Sequence, residues 1–166
     1  MRSEVGFAEF VRQHTPALVR TAYLLTGNGP AAEELVQDTL VRLYPKWDRV
    51  AAADAPLAYV RRALTNGFIN HSRRASRREY AVAELPESIE EYDASARLAD
   101  RDEIWAGLRR LPERQRAALV LRFFDDVSDE DAAAALGCRV GTVRSLISRG
   151  LAALREQMAA DAGRTA

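Results

Sequence analysis

The segment 136–155 reads LGCRVGTVRSLISRGLAALR, and its pattern is the most informative in the chain. A shorter helical pattern, 127–135, comes before it and has Ser128 as a candidate N-cap. Apolar residues of the later pattern recur every three or four positions, the spacing of one helix face. This expected buried stripe consists of Val143, Ile147, Gly150, Leu151, Leu154 and Met158. Two helices joined by a tight turn at Gly137, with the second helix basic, indicate a DNA-binding helix-turn-helix.

The opposite face of the second helix has the chemistry expected at a DNA groove. It carries small hydroxyl residues and arginines, namely Thr142, Ser145, Ser148 and Arg149, with Arg144 and Arg155 flanking. Between Arg139 and Arg155 there are four arginines and no carboxylate. Guanidinium groups bind phosphates or the guanine edge. The alternative is the solvated face of an ordinary helical bundle, since this geometry recurs in folds that do not bind DNA.

The formal net charge of zero hides a segregated charge pattern. Residues 61–78 hold six arginines and His71 but no acid, and residues 81–103 hold eight carboxylates against two arginines. Residues 125–131 add five acids before the chain turns basic again. Basic patches favour DNA through counterion release, whereas the acidic segments oppose it. We therefore expect weak DNA binding by the isolated chain and a partner that holds it on DNA.

Composition narrows the function classes. With 166 residues and 48% hydrophobic content, the chain can form packed cores. The single cysteine, Cys138, excludes an internal disulfide, and neither His14 nor His71 has metal-ligand spacing around it. We expect no cofactor and no metal. No apolar run is long enough to cross a bilayer and the N-terminus lacks a signal-peptide core, so a cytoplasmic protein without membrane insertion is expected.

The order of helical patterns predicts an all-α chain of two small helical domains joined by a flexible acidic linker. The expected domains are 1–80 and 101–160, the second containing the helix-turn-helix, with the linker at 81–100. Helix starts are expected at Thr15-Pro16, Pro30 and Ala55-Pro56, with a break at Leu111-Pro112. No strand pattern is convincing.

Several motifs together resemble the bacterial extracytoplasmic-function sigma factors, a sigma-70-type family. LPERQRAALVLRFF (111–124) and the segment 128–145 look like the C-terminal module of that family. AEELVQDTLVRLY (32–44), Trp47, AYVRRALTN (58–66) and NHSRR (70–74) match its N-terminal module. The matches appear in family order and cover nearly the whole chain.

The resemblance implies a transcription initiation factor that joins core RNA polymerase, directs it to promoter DNA and assists melting, and not an enzyme. The residues implied to read the −35 element are Thr142, Arg144, Ser145, Ser148 and Arg149. Those implied for the −10 element are Tyr59, Arg62, Asn66, Asn70, His71, Arg73, Arg74 and Arg77. A basic track and a pocket for an extruded base suit strand separation. Family members are often held by an anti-sigma factor, so such a partner is also implied.

The surface implied to bind polymerase consists of Glu34, Gln37, Asp38 and Arg42. We expect Leu40, Trp47 and Phe68 to be core residues, and core packing is also the alternative for Tyr59. An alternative for the carboxylates spaced four apart is a metal site, as in helical nucleotide hydrolases. That alternative lacks a second carboxylate motif and a phosphate-binding glycine loop.

Three positions depart from the family pattern. Leu146 stands where a basic residue is common, Arg139 replaces a common turn proline, and Asp129 stands where an aromatic is frequent. The −35 sequence preference therefore cannot be transferred from relatives. The rival interpretation is a stand-alone dimeric helix-turn-helix regulator, which would bind operators without polymerase.

Overall fold

Helices form both parts of the chain that the computed structural model describes, residues 2–79 and 99–165. The first part contains α1 (Arg2–Thr26), α2 (Gly29–Leu43), a 3-10 turn (Tyr44–Lys46), α3 (Trp47–Ala51) and α4 (Pro56–Glu79). The second contains α5 (Ala99–Arg109), α6 (Glu113–Leu119), a π-helical turn (Val120–Phe124), α7 (Asp129–Leu136) and α8 (Val140–Thr165). Neither described part contains a strand, which confirms the all-α prediction.

The chain divides into two units, residues 1–87 and 88–166. The boundaries expected from the sequence stay predictions, because most of the acidic segment 81–100 lies outside the described residues. Each unit is built around its own apolar core.

In the first unit α1, α2 and α4 pack together. Leu18, Val60 and Leu64 are completely buried at their centre. Trp47 is 3% exposed, and its ring lies 4.8 Å from that of Phe10, centroid to centroid. The predicted core positions of Leu40, Trp47 and Phe68 are confirmed.

The helix start expected at Thr15-Pro16 is wrong, since α1 continues through Pro16. The Thr15 hydroxyl donates to the carbonyl of Val11 instead of capping a new helix. Leu18 and Ala22, both completely buried, fix the second half of α1 in the core. Tertiary packing thus outweighs the loss of one backbone hydrogen bond at proline.

In the second unit α8 packs against α6 and α7. A Cβ added at Gly150 of α8 would lie 2.9 Å from Cδ1 of Leu119, so glycine permits the close approach of α6. The Arg116 guanidinium donates to the carbonyls of Leu108, Arg109 and Leu111 at 2.8, 3.0 and 3.1 Å. Burial lowers the pKa of Arg116 from its usual value. These bonds give donors to carbonyls at the end of α5 and in the turn after it, where the Leu108 carbonyl also accepts from the Leu111 backbone N–H.

The helix-turn-helix forms as predicted from α7 and α8. Gly137, at φ 62°, adopts the left-handed conformation that ends α7 and that glycine favours. The expected burial of Met158 is wrong, because this residue is 61% exposed. Leu154 lies beside Gly107 of α5, but α8 continues to Thr165 and Met158 faces solvent.

Ser128 is the N-cap of α7, as predicted, and its Oγ accepts a hydrogen bond from the Asp131 backbone N–H. We expect Ser128→Ala to lower the free energy of unfolding by about 1 kcal/mol. Denaturant unfolding measures this effect, with Ser148→Ala, an exposed change in the interior of α8, as the control. Equal stability of Ser128→Ala and the native protein would contradict the capping role.

Candidate nucleic-acid interface

The exposed face of α8 carries the side chains that the sequence assigned to groove reading. Thr142, Ser145, Ser148 and Arg149 are all exposed, whereas Val143 is completely buried. The Ser145 hydroxyl donates to the Gly141 carbonyl at 3.1 Å. The helix therefore presents small polar groups and one extended cation on the side away from its own core.

Arg144 lies on the same helix but has a protein partner. Its Nε donates to Oδ2 of Asp129 at 3.1 Å, although its side chain is 68% exposed. The Asp129 side chain is 17% exposed, and its Oδ1 lies 3.6 Å from a terminal nitrogen of Arg122. One carboxylate at the start of α7 thus joins α8 to the π-helical turn.

These side chains border a shallow groove of about 420 Å³. Ile147, Leu151 and Phe123 form its apolar part, with Phe123 59% exposed. The sequence prediction missed Arg122 and Phe123 as neighbours of α8. Both lie in a π-helical turn, whose spacing differs from the regular helical period used to assign faces.

On α4 a second set of polar residues follows one helix face. Tyr59, Arg62, Asn66 and Asn70 are spaced three or four residues apart, so they lie along one side, and Tyr59 is half-buried against the apolar core. Asn66 and Asn70 are exposed, and Nδ2 of Asn70 donates to Oδ1 of Asn66 at 3.1 Å. Two adjacent amides supply both donors and acceptors, which is the chemistry needed to bind base edges.

The remaining residues assigned to the −10 element lie at the C-terminal end of α4. His71 is exposed, but it directly follows Asn70 and so lies about 100° around the helix from it. Arg73, Arg74 and Arg77 belong to α4, and their side chains lie outside the described residues.

The α2 surface assigned to polymerase consists of Glu34, Gln37, Asp38 and Arg42, all of which are exposed. Val41, which the sequence prediction overlooked, is 71% exposed and lies seven residues after Glu34 on the same face. A helical wheel of α2 predicts the exposure of Val41, because a side chain at position 41 points away from the core.

The Arg42 side chain points toward α4, unlike the other members of the α2 surface. Its Nε donates to the Asp38 carbonyl at 3.3 Å and a terminal nitrogen donates to Oγ1 of Thr39 at 3.5 Å. A Cβ added at Gly67 of α4 would lie 2.5 Å from this guanidinium. Arg42 therefore lies across the junction of α2 and α4.

In the described parts, 2–79 and 99–165, no group of three or more His, Cys, Asp or Glu side chains is placed to hold a metal ion. Among the same residues, no helix has the length and apolar content to cross a membrane.

Comparisons with known proteins point to one family over nearly the whole chain. Residues 10–78 match the sigma-70 region 2 family and residues 101–154 match the sigma-70 region 4 family. The chain is 37% identical over 160 residues to an RNA polymerase sigma-E factor of Streptomyces coelicolor, covering 96% of this chain and 90% of that protein. It is 34% identical to the ECF RNA polymerase sigma factor SigE of Mycolicibacterium smegmatis, covering 95% of this chain and 63% of that protein.

A solved structure agrees with these relatives. The sigma factor RpoE of Bartonella quintana, crystallised with the anti-sigma factor NepR, is similar with a TM-score of 0.77 and 30% sequence identity. The similarity covers 94% of this chain and 98% of that one.

Proposed function

We propose distinct roles for the α8, α4 and α2 surfaces of this chain, which belongs to the extracytoplasmic-function sigma factors of RNA polymerase. The protein directs promoter-specific transcription, as members of this family do. In the proposal, α8 reads the −35 element, α4 reads and opens the −10 element, and α2 binds the core enzyme.

The exposed polar face of α8 is the main support for the −35 assignment. Thr142, Ser145 and Ser148 are small enough to let the helix enter a major groove, and Arg144 and Arg149 reach beyond them. The region 4 match, 101–154, includes these residues. These residues are the proposed contacts to the −35 element.

For the −10 element we propose the α4 face that begins at Tyr59 and Arg62. Asn66 and Asn70 would bind the edges of unpaired bases, while His71, Arg73, Arg74 and Arg77 supply the basic end of the helix. A cationic track beside amide groups suits a single strand, because it follows the backbone and still leaves base edges to be read. The region 2 match, 10–78, includes these positions.

Replacing the two α8 arginines tests the −35 assignment. Arg144→Ala and Arg149→Ala should each weaken recognition of the upstream element by about 1–3 kcal/mol if the native residue makes a bidentate base contact. The holoenzyme is presented with a promoter library randomised in that element, and the selected sequences are counted.

Arg164→Ala is the matched control, since it removes an exposed arginine from the far end of the same helix. It should leave the selected sequences unchanged. If Arg144→Ala and Arg149→Ala also select the native sequences, the role assigned to α8 is refuted.

We further propose an anti-sigma factor as a regulatory partner, because the Bartonella quintana relative is crystallised with one. The protein itself would have no catalytic activity and would act in the cytoplasm together with polymerase. Purification of the native complex from its host tests the partnership, and recovery of the chain without any inhibitory protein would count against it.

Similarity to a sigma factor over 96% of the chain argues against the rival function, a dimeric regulator that binds operators by itself. Such a regulator would also leave the surface on α2 without a role.

A further inference from the structure

We propose that Asp129 is a positioning residue for promoter reading, because its carboxylate fixes the Arg144 guanidinium by the Nε edge and leaves the two terminal nitrogens free for a guanine. The inference rests on the proposed role of α8 at the −35 element. It assigns a function to a residue of the first helix of the helix-turn-helix.

The geometry of the hydrogen bond between Arg144 and Asp129 supports this role. Arg144 donates to Asp129 through Nε, at 3.1 Å. A guanidinium is a rigid plane, so fixing the Nε edge also fixes the direction of the terminal nitrogens. Those two nitrogens are the donors for a bidentate bond to O6 and N7 of guanine.

Burial makes Asp129 a better anchor than an ordinary surface acid. Its side chain is 17% exposed, whereas that of Arg144 is 68% exposed, so the acid is held and the arginine extends into solvent. Arg122 approaches the other carboxylate oxygen at 3.6 Å. The first turn of a helix also stabilises a negative charge, and Asp129 is the first residue of α7.

The same carboxylate has a second consequence for selectivity. It places a negative charge beside a surface that approaches phosphates, so it lowers affinity for DNA in which Arg144 finds no guanine. Ordering the arginine before binding also reduces the entropy lost when the correct base is bound. Asp129 thereby favours the correct sequence and disfavours the others.

The test is Asp129→Asn in the holoenzyme, with the library randomised in the −35 element. Arg144→Ala first identifies the base pair that Arg144 reads. Asp129→Asn should relax preference at that same base pair by about three- to fivefold, the size expected of a partly exposed ion pair, and leave the other positions unchanged. Affinity for promoter-free competitor DNA should rise.

Three further variants separate positioning from a structural role. Glu130→Gln removes the same charge from an exposed neighbour on α7 and should leave the base preference native. Asp129→Glu, which keeps the carboxylate, should restore part of the preference lost in Asp129→Asn. In an Arg144→Ala background, Asp129→Asn should cause no further loss at the identified base pair.

The outcomes separate this inference from the function on which it rests. If Arg144→Ala and Arg149→Ala both leave every preference native, the α8 assignment itself fails. If only Arg144→Ala leaves every preference native, the α8 assignment stands and the positioning role of Asp129 is overturned. If Arg144→Ala relaxes the sequence preference at one base pair but Asp129→Asn selects the same sequences as the native protein, only the positioning role is overturned. Equal weakening at all positions by Asp129→Asn, with a lowered thermal unfolding midpoint, would also overturn it in favour of a structural role.

Discussion

Val41→Asp should reduce binding to core RNA polymerase by more than about 30-fold, the effect of losing an interface hot spot of about 2 kcal/mol. Val41 is 71% exposed and lies one turn after Gln37 and Asp38, on the same α2 face as Glu34. Protein interfaces bury apolar side chains beside polar ones, and an unpaired carboxylate buried in the place of Val41 would be costly.

Titration of labelled protein with core enzyme measures this effect. The thermal unfolding midpoint should stay native, because Val41 contributes little to the core of its unit. Ala8→Asp, which adds a carboxylate to an exposed position of α1, is the control and should bind like the native protein. Native affinity of Val41→Asp for core enzyme would remove Val41 from the polymerase surface.

The double variant Asn66→Ala, Asn70→Ala should lower the yield of open promoter complex by on the order of a hundredfold, given two lost base contacts of about 1–3 kcal/mol each. Both amides are exposed on α4 and are joined by one hydrogen bond, so their removal leaves the core intact. Permanganate reactivity of unpaired thymines in the −10 element measures opening.

Two controls locate the defect. Gln13→Ala removes an exposed amide from α1 and should open the promoter normally. A template whose −10 element is already mismatched should recover part of the lost transcription, since it no longer needs strand separation. Native permanganate reactivity in the double variant would contradict the role of the α4 face in opening.

Helical periodicity predicted most of the fold because each helix buries a regular apolar stripe. The exposed face of α8, the N-cap Ser128 and the break at Leu111-Pro112 all follow from local patterns, and the structure confirms them. Periodicity failed where tertiary packing decided the outcome. Pro16 lies inside α1, and Met158 lies where α8 extends into solvent.

The site was predicted less completely, for a physical reason. The bond between Asp129 and Arg144 joins residues 15 positions apart, and its formation depends on how α7 crosses α8. The bonds of Arg116 to the end of α5 likewise depend on packing. Sequence alone identified Asp129 as unusual for the family, but it offered no partner for the carboxylate.

Run-off transcription with core polymerase, paired with a mobility-shift assay of the isolated chain on the same promoter, shows whether the protein selects promoters only together with polymerase. We expect salt-sensitive, promoter-specific transcripts when both proteins are present, and only weak binding by the chain alone. Tight, dimeric and sequence-specific binding by the isolated chain, with no transcripts from its host's core enzyme, would contradict it.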